Sequence, residues 1–472
     1  MNTDTAINNK YSNDFLSPVD NSKKSWSAYD YISCWFGMNI CIPAYQVASS
    51  SIALGLSWWL SIILVLIGNL IILFPVLLNS KAGAKYGIPF PVHARAAFGL
   101  RGAQFPVILR AIIGTIWTGI LTWIGAESLQ IILENCIPSW KDFRCGTAIS
   151  FTLFFLINFG IALSGIKSMK ILENIGSPIL CCICATLLIW ACKSTINSGY
   201  SIVEPLRIIN GNQDNVKLST IFTCLAANVA YYSTWALNIS DLSRYAKNEK
   251  TQYYGHIIGL PLSMCLIAFI GVYVTGASEI IYGEKIWDPN DIIVLFDNKF
   301  VVILAALGII IATLTTNITT NILPPASAFT NVIPKKIDFK KGVIITGILS
   351  VIVQPWRLVN DPSGYIYDWL GTCGILTGPI AGIMICDYYL FKNKILDVYS
   401  LYSPKNSAYW YKKGVNIIAI LTWVISVLII LAVRVVPSLS VISANGWILG
   451  FIIGFTVYYL LKLYSIKGAN NG

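Results

Sequence analysis

The chain has 472 residues, of which 56% are hydrophobic and only 12% carry a charge, whereas roughly 25% of residues are charged in a soluble protein. This composition disfavours a soluble enzyme, a nucleic-acid-binding protein and a disordered chain, and it favours a protein of the lipid bilayer. The 33 Lys and Arg residues outnumber the 22 Asp and Glu residues, as is typical when cytoplasmic loops retain basic residues. The 12 Cys and two His residues show no zinc or disulfide spacing, so we expect no such metal centre, no cofactor and no nucleic-acid partner.

Apolar stretches long enough to cross a bilayer recur to the end of the chain, after a polar start at residues 1–25. That start lacks the apolar core of a signal peptide, and we predict that it is a flexible cytoplasmic tail. The stretches show no strand alternation, so we predict an all-α integral membrane protein with about 12 transmembrane helices. The predicted spans cover residues 30–56, 59–79, 106–132, 147–166, 173–193, 218–236, 256–280, 301–331, 342–355, 366–389, 414–435 and 445–463.

The basic residues predict the orientation of these spans. If both termini are cytoplasmic, most of the 33 Lys and Arg residues fall in cytoplasmic segments, as the positive-inside rule requires. A shift of one span would scramble this bias, so the pattern also supports an even number of crossings. We expect a multi-pass protein of a cell membrane, and a bacterial inner membrane is favoured over a eukaryotic plasma membrane.

Two spans are interrupted within the predicted membrane region. The first contains Pro43, which removes a helical hydrogen bond, and the sixth carries the polar and aromatic run 230–235. A helix break in a bilayer is tolerated where it is buried or lines a cavity, and breaks at matching places in two halves point to a transporter binding site. A pair of ordinary kinks is the alternative.

The positions of these breaks suggest two repeats of five helices, although the halves share no convincing residue-level similarity. The first repeat, helices 1–5, is then predicted over residues 26–200, and the second, helices 6–10, over residues 201–392. Residues 393–472 are predicted to hold helices 11 and 12 and a short cytoplasmic C-terminus.

The eighth span is unusually polar, because seven of the ten side chains in 312–321 carry a hydroxyl or an amide. In lipid such groups need partners. A hard cation such as sodium prefers oxygen ligands, which hydroxyls and the free carbonyls of a broken helix can supply. Hydrogen bonding between helices, or from Thr to its own helix, is the alternative.

The third span carries Trp117, Trp123 and Glu127. Large aromatic rings within the membrane can form a stacking face for a flat heterocycle, although a Trp near a span end is often an interface anchor. Glu127 is a candidate coupling group by default, with a polar strut and a position at the outer interface as alternatives. Asp241, near the end of the sixth span, is expected to be a hydrogen-bonding or gate residue.

These residues fall within a set of motifs that resembles the nucleobase–cation symporter-1 family, and within it the bacterial hydantoin and allantoin permeases. The run KYGIPFPV at 85–92 is the most specific of them. The other matches are WFGM at 35–38 with IPAY at 42–45, 68–69 with 78–80, Arg95, 123–125, LNISDLSRY at 237–245, 315–317 with Asn321, 355–356, and 382–384 with 387–389.

The resemblance implies a LeuT-like fold of two inverted five-helix repeats plus two C-terminal helices, which works by alternating access. It also implies a sodium site, formed by the backbone carbonyls of Gly37, Ile40 and Ala312 and the hydroxyls of Thr315 and Thr316. These positions flank the break in the first span and lie in the polar run of the eighth span, so the resemblance agrees with both patterns.

By resemblance, the substrate lies between helices 1, 3, 6, 8 and 10, where this chain departs from the family's pattern. Trp117 and Asn321 match the family, whereas Leu121 replaces a Gln, Tyr232 replaces a Trp and Cys41 replaces another Gln. A lost Gln removes both a donor and an acceptor, and a site built to hydrogen-bond one ligand rejects its analogues. Specificity for an aryl-substituted hydantoin is therefore disfavoured. Further candidate contacts are Asn39, Ser233, Glu127 and Asn317.

We therefore expect a secondary transporter that imports a nucleobase or related heterocycle (uracil, cytosine, allantoin or a hydantoin) by symport with a cation, with sodium favoured. A proton-coupled permease that uses Glu127, or a permease for a vitamin or nucleoside, is the alternative. A membrane enzyme is disfavoured because the sequence lacks a clustered set of acids, bases or metal ligands. A channel, which would pass substrate without saturation or counterflow, is also disfavoured, and a substrate-sensing receptor would often need a long sensory domain that this sequence lacks. The oligomeric state is open.

Overall fold

Helices build the fold of this chain. The structure, a computed structural model, describes residues 10–209, 216–358, 370–404, 407–436, 439 and 444–470. Within these residues the only β-structure is two isolated bridges, and nine helices are long and apolar enough to cross a membrane. The three other predicted spans fall short of that length, because the first and sixth are interrupted and the ninth is a helix of 14 residues.

The first half of the chain follows the predicted order of spans, with the first span divided in two. Its helices are α1 (Ala28–Asn39), α2 (Ile42–Ala53), α3 (Trp58–Tyr86), α4 (Phe90–Phe98), α5 (Gln104–Cys136), α6 (Gly146–Leu163), α7 (Ile166–Asn197) and α8 (Glu204–Ile208).

The second half of the chain is also built from helices, and it contains two π-helical segments in addition. Its helices are α9 (Leu218–Tyr231), α10 (Trp235–Asn238), α11 (Ser240–Ser243), α12 (Glu249–Tyr282), α13 (Pro289–Ile293), α14 (Lys299–Thr316), α15 (Leu323–Val332), α16 (Phe339–Ile352), α17 (Pro355–Leu358), α18 (Leu370–Cys386), α19 (Ile417–Val435) and α20 (Gly446–Asn470). The π-helical segments are Asn317–Ile322, which joins α14 to α15 within the eighth span, and Asp387–Phe391 after α18. The first residues of the tenth predicted span, from 366, lie outside the described residues.

The break in the first span lies just before Pro43 rather than at it. The Ile40 N–H donates to the Phe36 carbonyl at 3.0 Å and closes α1, and α2 begins at Ile42. Pro43 then lies in the first turn of α2, where backbone N–H groups have no acceptor within the helix. A proline, which lacks the N–H, therefore costs no helical hydrogen bond there. The predicted interruption of this span is confirmed.

The break in the sixth span follows Tyr231. Two turn hydrogen bonds carry the chain to α10, from the Ser233 N–H to the Ala230 carbonyl at 3.1 Å and from the Trp235 N–H to the Tyr232 carbonyl at 3.0 Å. Two four-residue helices, α10 and α11, replace the continuation of α9. The predicted interruption of this span is also confirmed.

The broken spans lie inside the bundle. Helix α1 packs against α7 and α12, and α5 packs against α14 and α15. Exposed apolar side chains such as Phe74, Leu156, Ile175 and Leu428 lie on the outer faces, where a bilayer would cover them.

The two ends of the bundle can be named by their short helices, the α4 end and the α13 end. Residues 10–25 pack at the α4 end, where Arg95 of α4 donates to the Tyr11 carbonyl at 2.8 Å and Arg244 donates to the Phe15 carbonyl at 2.6 Å. Leu16 in this segment is fully buried. The part of the predicted flexible tail around Tyr11, Phe15 and Leu16 is therefore packed, because buried guanidinium groups need acceptors and these carbonyls supply them.

Candidate functional site

The break in the first span meets the polar run of the eighth span at a cluster of oxygen atoms. The Thr315 hydroxyl lies 2.9 Å from the Gly37 carbonyl and 2.9 Å from the Ala312 carbonyl. The Thr316 hydroxyl lies 3.1 Å from the Gly37 carbonyl and 3.2 Å from that of Met38. All five residues are buried, so these oxygens form a small polar junction inside an apolar bundle.

The helix break is what makes the Gly37 and Met38 carbonyls available, whereas the bond from Thr315 to Ala312 lies within α14. The last four carbonyls of a helix have no partner within it, and Gly37 and Met38 belong to the last turn of α1. The hydroxyls of Thr315 and Thr316, from the neighbouring helix, donate hydrogen bonds to these carbonyls. Ile40, the remaining predicted sodium ligand, is buried at the C-cap of α1, while the hydroxyls bond to Gly37 and Met38. The structure thus brings together four of the five predicted ligands: Gly37, Ala312, Thr315 and Thr316.

Two aromatic side chains face each other beside this junction. The rings of Trp117 in α5 and Tyr231 at the end of α9 meet edge to face, with their centroids 6.1 Å apart. Both side chains are only partly buried, and the Tyr231 hydroxyl lies 3.3 Å from the Cys41 sulfur. Leu121, one turn after Trp117, is buried in an apolar cluster with Ile42.

Tyr232, which the resemblance implies as a substrate contact, is buried at the break in the sixth span. Its side chain is only 2% exposed, and its hydroxyl donates a short hydrogen bond to the Asn39 amide oxygen. The Asn39 amide nitrogen in turn donates to the Ser263 hydroxyl of α12 at 2.6 Å. Tyr232 and Asn39 therefore connect the two helix breaks to each other, and Tyr231 is the ring that lies against Trp117.

The two Asn residues of the eighth span differ in their surroundings. Asn317 is fully buried, and its amide nitrogen lies 3.1 Å from the Thr122 hydroxyl, 3.3 Å from the Thr118 carbonyl and 3.3 Å from the Asn158 amide oxygen. Its side chain thereby joins the π-helical segment to α5 and α6. Asn321 donates to the Asn317 amide oxygen at a long 3.4 Å, which is the only hydrogen bond of its side-chain amide among the described residues. The fully buried Ser233 hydroxyl has no hydrogen-bond partner among the described residues.

Glu127 and Asp241 lie towards opposite ends of the bundle. Glu127 is half-buried, and the next residue, Ser128, donates to Asn290 of α13 at 2.9 Å. Asp241 is fully buried and accepts from the Phe90 N–H of α4 at 3.0 Å and from the Ser327 hydroxyl of α15 at 3.3 Å. Asp241 of α11 thus connects α4 and α15 at the α4 end.

The sequence did not identify one buried carboxyl in this region as a candidate functional group. Glu173 of α7 is 1% exposed and accepts a hydrogen bond from the Thr319 hydroxyl at 2.5 Å. The fifth predicted span begins at residue 173, so the sequence places Glu173 at the polar edge of that span. In the structure α7 begins at Ile166, and Glu173 therefore lies within the helix. The Glu-x-x-x-Ser spacing of Glu173 and Ser177, which places two polar groups on one helix face, was the available signal.

Comparison with known proteins places the chain in a family. Residues 18–456 match the family described as permeases for cytosine and purines, uracil, thiamine and allantoin. The chain is 35% identical to a purine-uracil permease of Arabidopsis thaliana, over 95% of this chain and 77% of that protein. It is 34% identical to an allantoin permease of Bacillus subtilis (strain 168), over 96% of this chain and 93% of that protein.

Solved structures show the same fold. Mhp1, a nucleobase-cation-symport-1 family transporter in a closed conformation with bromovinylhydantoin bound, matches with a TM-score of 0.82 and 22% identity over 97% of this chain and 96% of that one. A sodium-coupled sialic acid symporter matches with a TM-score of 0.64 and 13% identity, over 96% and 93% of the two chains. The predicted all-α, LeuT-like membrane fold is confirmed. With both comparisons in agreement, the chain belongs to the nucleobase–cation symporter-1 family, a family of permeases rather than enzymes.

Proposed function

We propose that this protein imports a small nucleobase or ureide heterocycle together with sodium, by alternating access. The observation that carries the proposal is the oxygen cluster of Gly37, Ala312, Thr315 and Thr316 at the broken helix. Carbonyls at an unwound helix are the usual ligands for sodium in transporters built from broken helices. The permease relatives for purines, uracil and allantoin support the class of substrate.

Sodium at this cluster would tie α1 to the eighth span. Because the ion contacts two elements that move relative to each other in alternating access, it favours the arrangement in which they touch. A ligand shifts such an equilibrium only through its different affinity for the two states. The substrate pocket shares α1 and the eighth span with the cluster, so sodium bound at Gly37 also orders the residues that face the substrate.

The substrate in this proposal is compact. Its ring packs against both Trp117 and Tyr231, stacked on one ring and edge to face with the other because the two rings are perpendicular, and it accepts a hydrogen bond from Asn321. Leu121 and Cys41 offer few hydrogen bonds at positions where the resemblance expects Gln, so the polar contacts to the substrate differ from those that the resemblance implies. Uracil, cytosine, allantoin and unsubstituted hydantoin are the candidates, and an aryl-substituted hydantoin is not.

The orientation of the protein is part of the proposal. Residues 10–25 and the last turns of α20 lie at the α4 end, where Tyr411 donates to the Ala96 carbonyl and stands under Lys462. We assign this end to the cytoplasm of a bacterial inner membrane, because the basic residues concentrate there. The substrate and the ion would then leave at the α4 end.

The double variant Thr315→Val and Thr316→Val tests the sodium assignment. It removes both hydroxyls but keeps their β-branched shape, so sodium should no longer tighten substrate binding or drive uptake into proteoliposomes. Thr346→Val is the matched control, since Thr346 is also fully buried but bonds only to its own helix, at the Gly342 carbonyl. Unchanged sodium dependence in the double variant would remove the site from the proposal.

Proton coupling through Glu127 is the second candidate. Glu127 is a half-buried carboxyl near the α13 end, and an ionisable group in a membrane span is a functional candidate by default. It lies on α5, whereas the helix break and its oxygen cluster lie between α1 and the eighth span. Uptake that follows a proton gradient, ignores sodium and is uncoupled by Glu127→Gln would favour this candidate over the first.

A further inference from the structure

Glu173 is a buried carboxyl that lacks a counter-charge. Its Oε1 accepts the Thr319 hydroxyl at 2.5 Å, whereas its Oε2 has no hydrogen-bond partner among the described residues. The side chain is only 1% exposed, and a buried carboxylate without a counter-charge carries a large desolvation penalty. The free oxygen is therefore a position at which a cation would be strongly stabilised.

That free oxygen lies directly against the oxygen cluster. A Cβ atom added at Gly37 would overlap Glu173 Oε2 and would lie 3.2 Å from the Ser177 hydroxyl. The Gly37 carbonyl is the acceptor that Thr315 and Thr316 share. Only glycine at this position lets the carboxyl approach the backbone, so the carboxyl and the cluster are immediate neighbours.

Hydrogen bonds to the backbone hold Glu173 in this place. The Ser33 hydroxyl of α1 donates to the Glu173 carbonyl at 2.9 Å, and the Ser177 hydroxyl of α7 donates to the Ser33 carbonyl at 2.5 Å. These two bonds fasten α7 to α1 on either side of the carboxyl. The close approach of α7 extends to the eighth span, since a Cβ at Gly176 would lie 2.8 Å from the Thr315 methyl group.

The nearest basic residue is already engaged. Lys170 lies one turn before Glu173 on α7 and forms an ion pair with Asp30 at 3.0 Å. Within the described part of the chain, the ion pairs leave Glu173 without a cationic partner. Lys170 and Glu173 nevertheless share a small cavity towards the α4 end, lined also by Trp26, Cys34, Thr319 and Leu242.

We propose that the Glu173 carboxylate and the Thr319 hydroxyl form a second cation position, the Glu173–Thr319 station, which the coupling ion occupies after it leaves the Gly37 cluster. The inference rests on the proposed sodium coupling and deepens it. The Thr319 hydroxyl can donate to the carboxylate while its oxygen lone pairs face the ion. One sodium ion uses the two positions in turn, because two cations so close together would repel each other. The cavity beside Lys170 then leads the ion towards the α4 end.

Equilibrium binding of radioactive sodium to the purified full-length protein tests the station. Glu173→Gln keeps the shape of the side chain but removes its charge, so sodium should bind roughly tenfold more weakly, as expected for the loss of a nearby carboxylate. Glu173→Asp should recover part of that affinity, and Thr319→Val should weaken it by a smaller factor. Glu279→Gln is the control, because Glu279 pairs with Lys285 near the α13 end.

The outcomes separate the two proposals. Wild-type sodium affinity in Glu173→Gln overturns the station and leaves the Gly37 cluster in place. A wild-type protein that binds no sodium overturns both. If Glu173→Gln is poorly folded, which loss of sodium-independent substrate binding would reveal, Thr319→Val decides, since it keeps the carboxylate: a weaker sodium affinity supports the station and an unchanged one overturns it.

Discussion

Both helix breaks leave backbone groups that need hydrogen-bond partners inside the bundle, but different chemical groups lie beside the two breaks. The break in the first span frees the carbonyls of Gly37 and Met38, which accept hydroxyl groups from the eighth span. The break in the sixth span closes its own turn with backbone hydrogen bonds and places aromatic rings beside it, Tyr231 against Trp117. Backbone oxygens suit an ion and ring faces suit a flat heterocycle, so the proposed function places the ion at the first break and the substrate at the second.

The breaks are also joined to each other. Tyr232 from the sixth span donates to Asn39 at the end of α1, and Asn39 donates to Ser263 of α12. In the proposed function, a change in one break would reach the other through these buried polar contacts. This connection gives the coupling of ion and substrate a physical route, and substitutions on either side of it should separate the two functions.

Gly37→Ala should produce the largest effect, on the ion side. The added methyl group would overlap Glu173 Oε2, which Thr319 and the α1–α7 bonds hold in place. The backbone shift that relieves this overlap would move the Gly37 carbonyl away from Thr315 and Thr316. If the shift removes about 2 kcal/mol of ion binding, a size typical of overpacking strain, sodium affinity falls roughly thirtyfold. Gly160→Ala in α6 is the matched control, since nothing lies within 4 Å of its added Cβ. Normal sodium titration of Gly37→Ala would show that close packing at this break is unnecessary.

Tyr231→Ala should affect the substrate side instead. It removes one ring of the aromatic pair with Trp117, and the loss of a ring that stacks on a base costs about 1–3 kcal/mol. We expect substrate affinity to fall about tenfold or more, while the affinity for sodium alone stays within twofold of the wild type. Tyr254→Ala, at an exposed position of α12, is the control. Equal losses for substrate and sodium would contradict the division of labour between the breaks.

Tyr232→Phe should have the smallest effect and should reach both sides. It leaves the buried Asn39 oxygen without its donor, a loss that costs about 1–2 kcal/mol. We expect modest, roughly threefold losses of both sodium and substrate affinity, together with a lower thermal midpoint. Tyr464→Phe, at an exposed position of α20, controls for the loss of a hydroxyl. A loss confined to substrate affinity would place Tyr232 in the substrate pocket, as the resemblance implied.

Sequence reasoning located both breaks because their causes are local. Pro43 fits the first turn of a helix and cannot continue one, and residues 230–235 bring polar groups into a span. The hydroxyls of Thr315 and Thr316 stood out by composition, and their partner Gly37 came from the resemblance. The helix order, the interrupted spans and most of the oxygen cluster were therefore predictable.

The positions of Tyr231, Tyr232 and Glu173 could not be predicted from the sequence, because they depend on contacts between elements that are distant along the chain. Tyr231 and Tyr232 are adjacent, and the end of α9 decides which ring meets Trp117 and which is buried against Asn39. The sequence placed Glu173 at the edge of a span. Its burial could not be predicted, because it depends on the packing of α1 and the eighth span over α7.

The most direct test of the account is a fluorescence titration of the purified protein with uracil, cytosine, allantoin, hydantoin, a purine and thiamine, each in sodium and in choline. Trp117 should report a stacked ring, and Trp117→Phe provides the reference signal. The account predicts that one small heterocycle quenches the fluorescence with saturation and that sodium tightens its binding. Equal affinity in sodium and in choline would contradict the claim that the broken first helix couples an ion to the substrate.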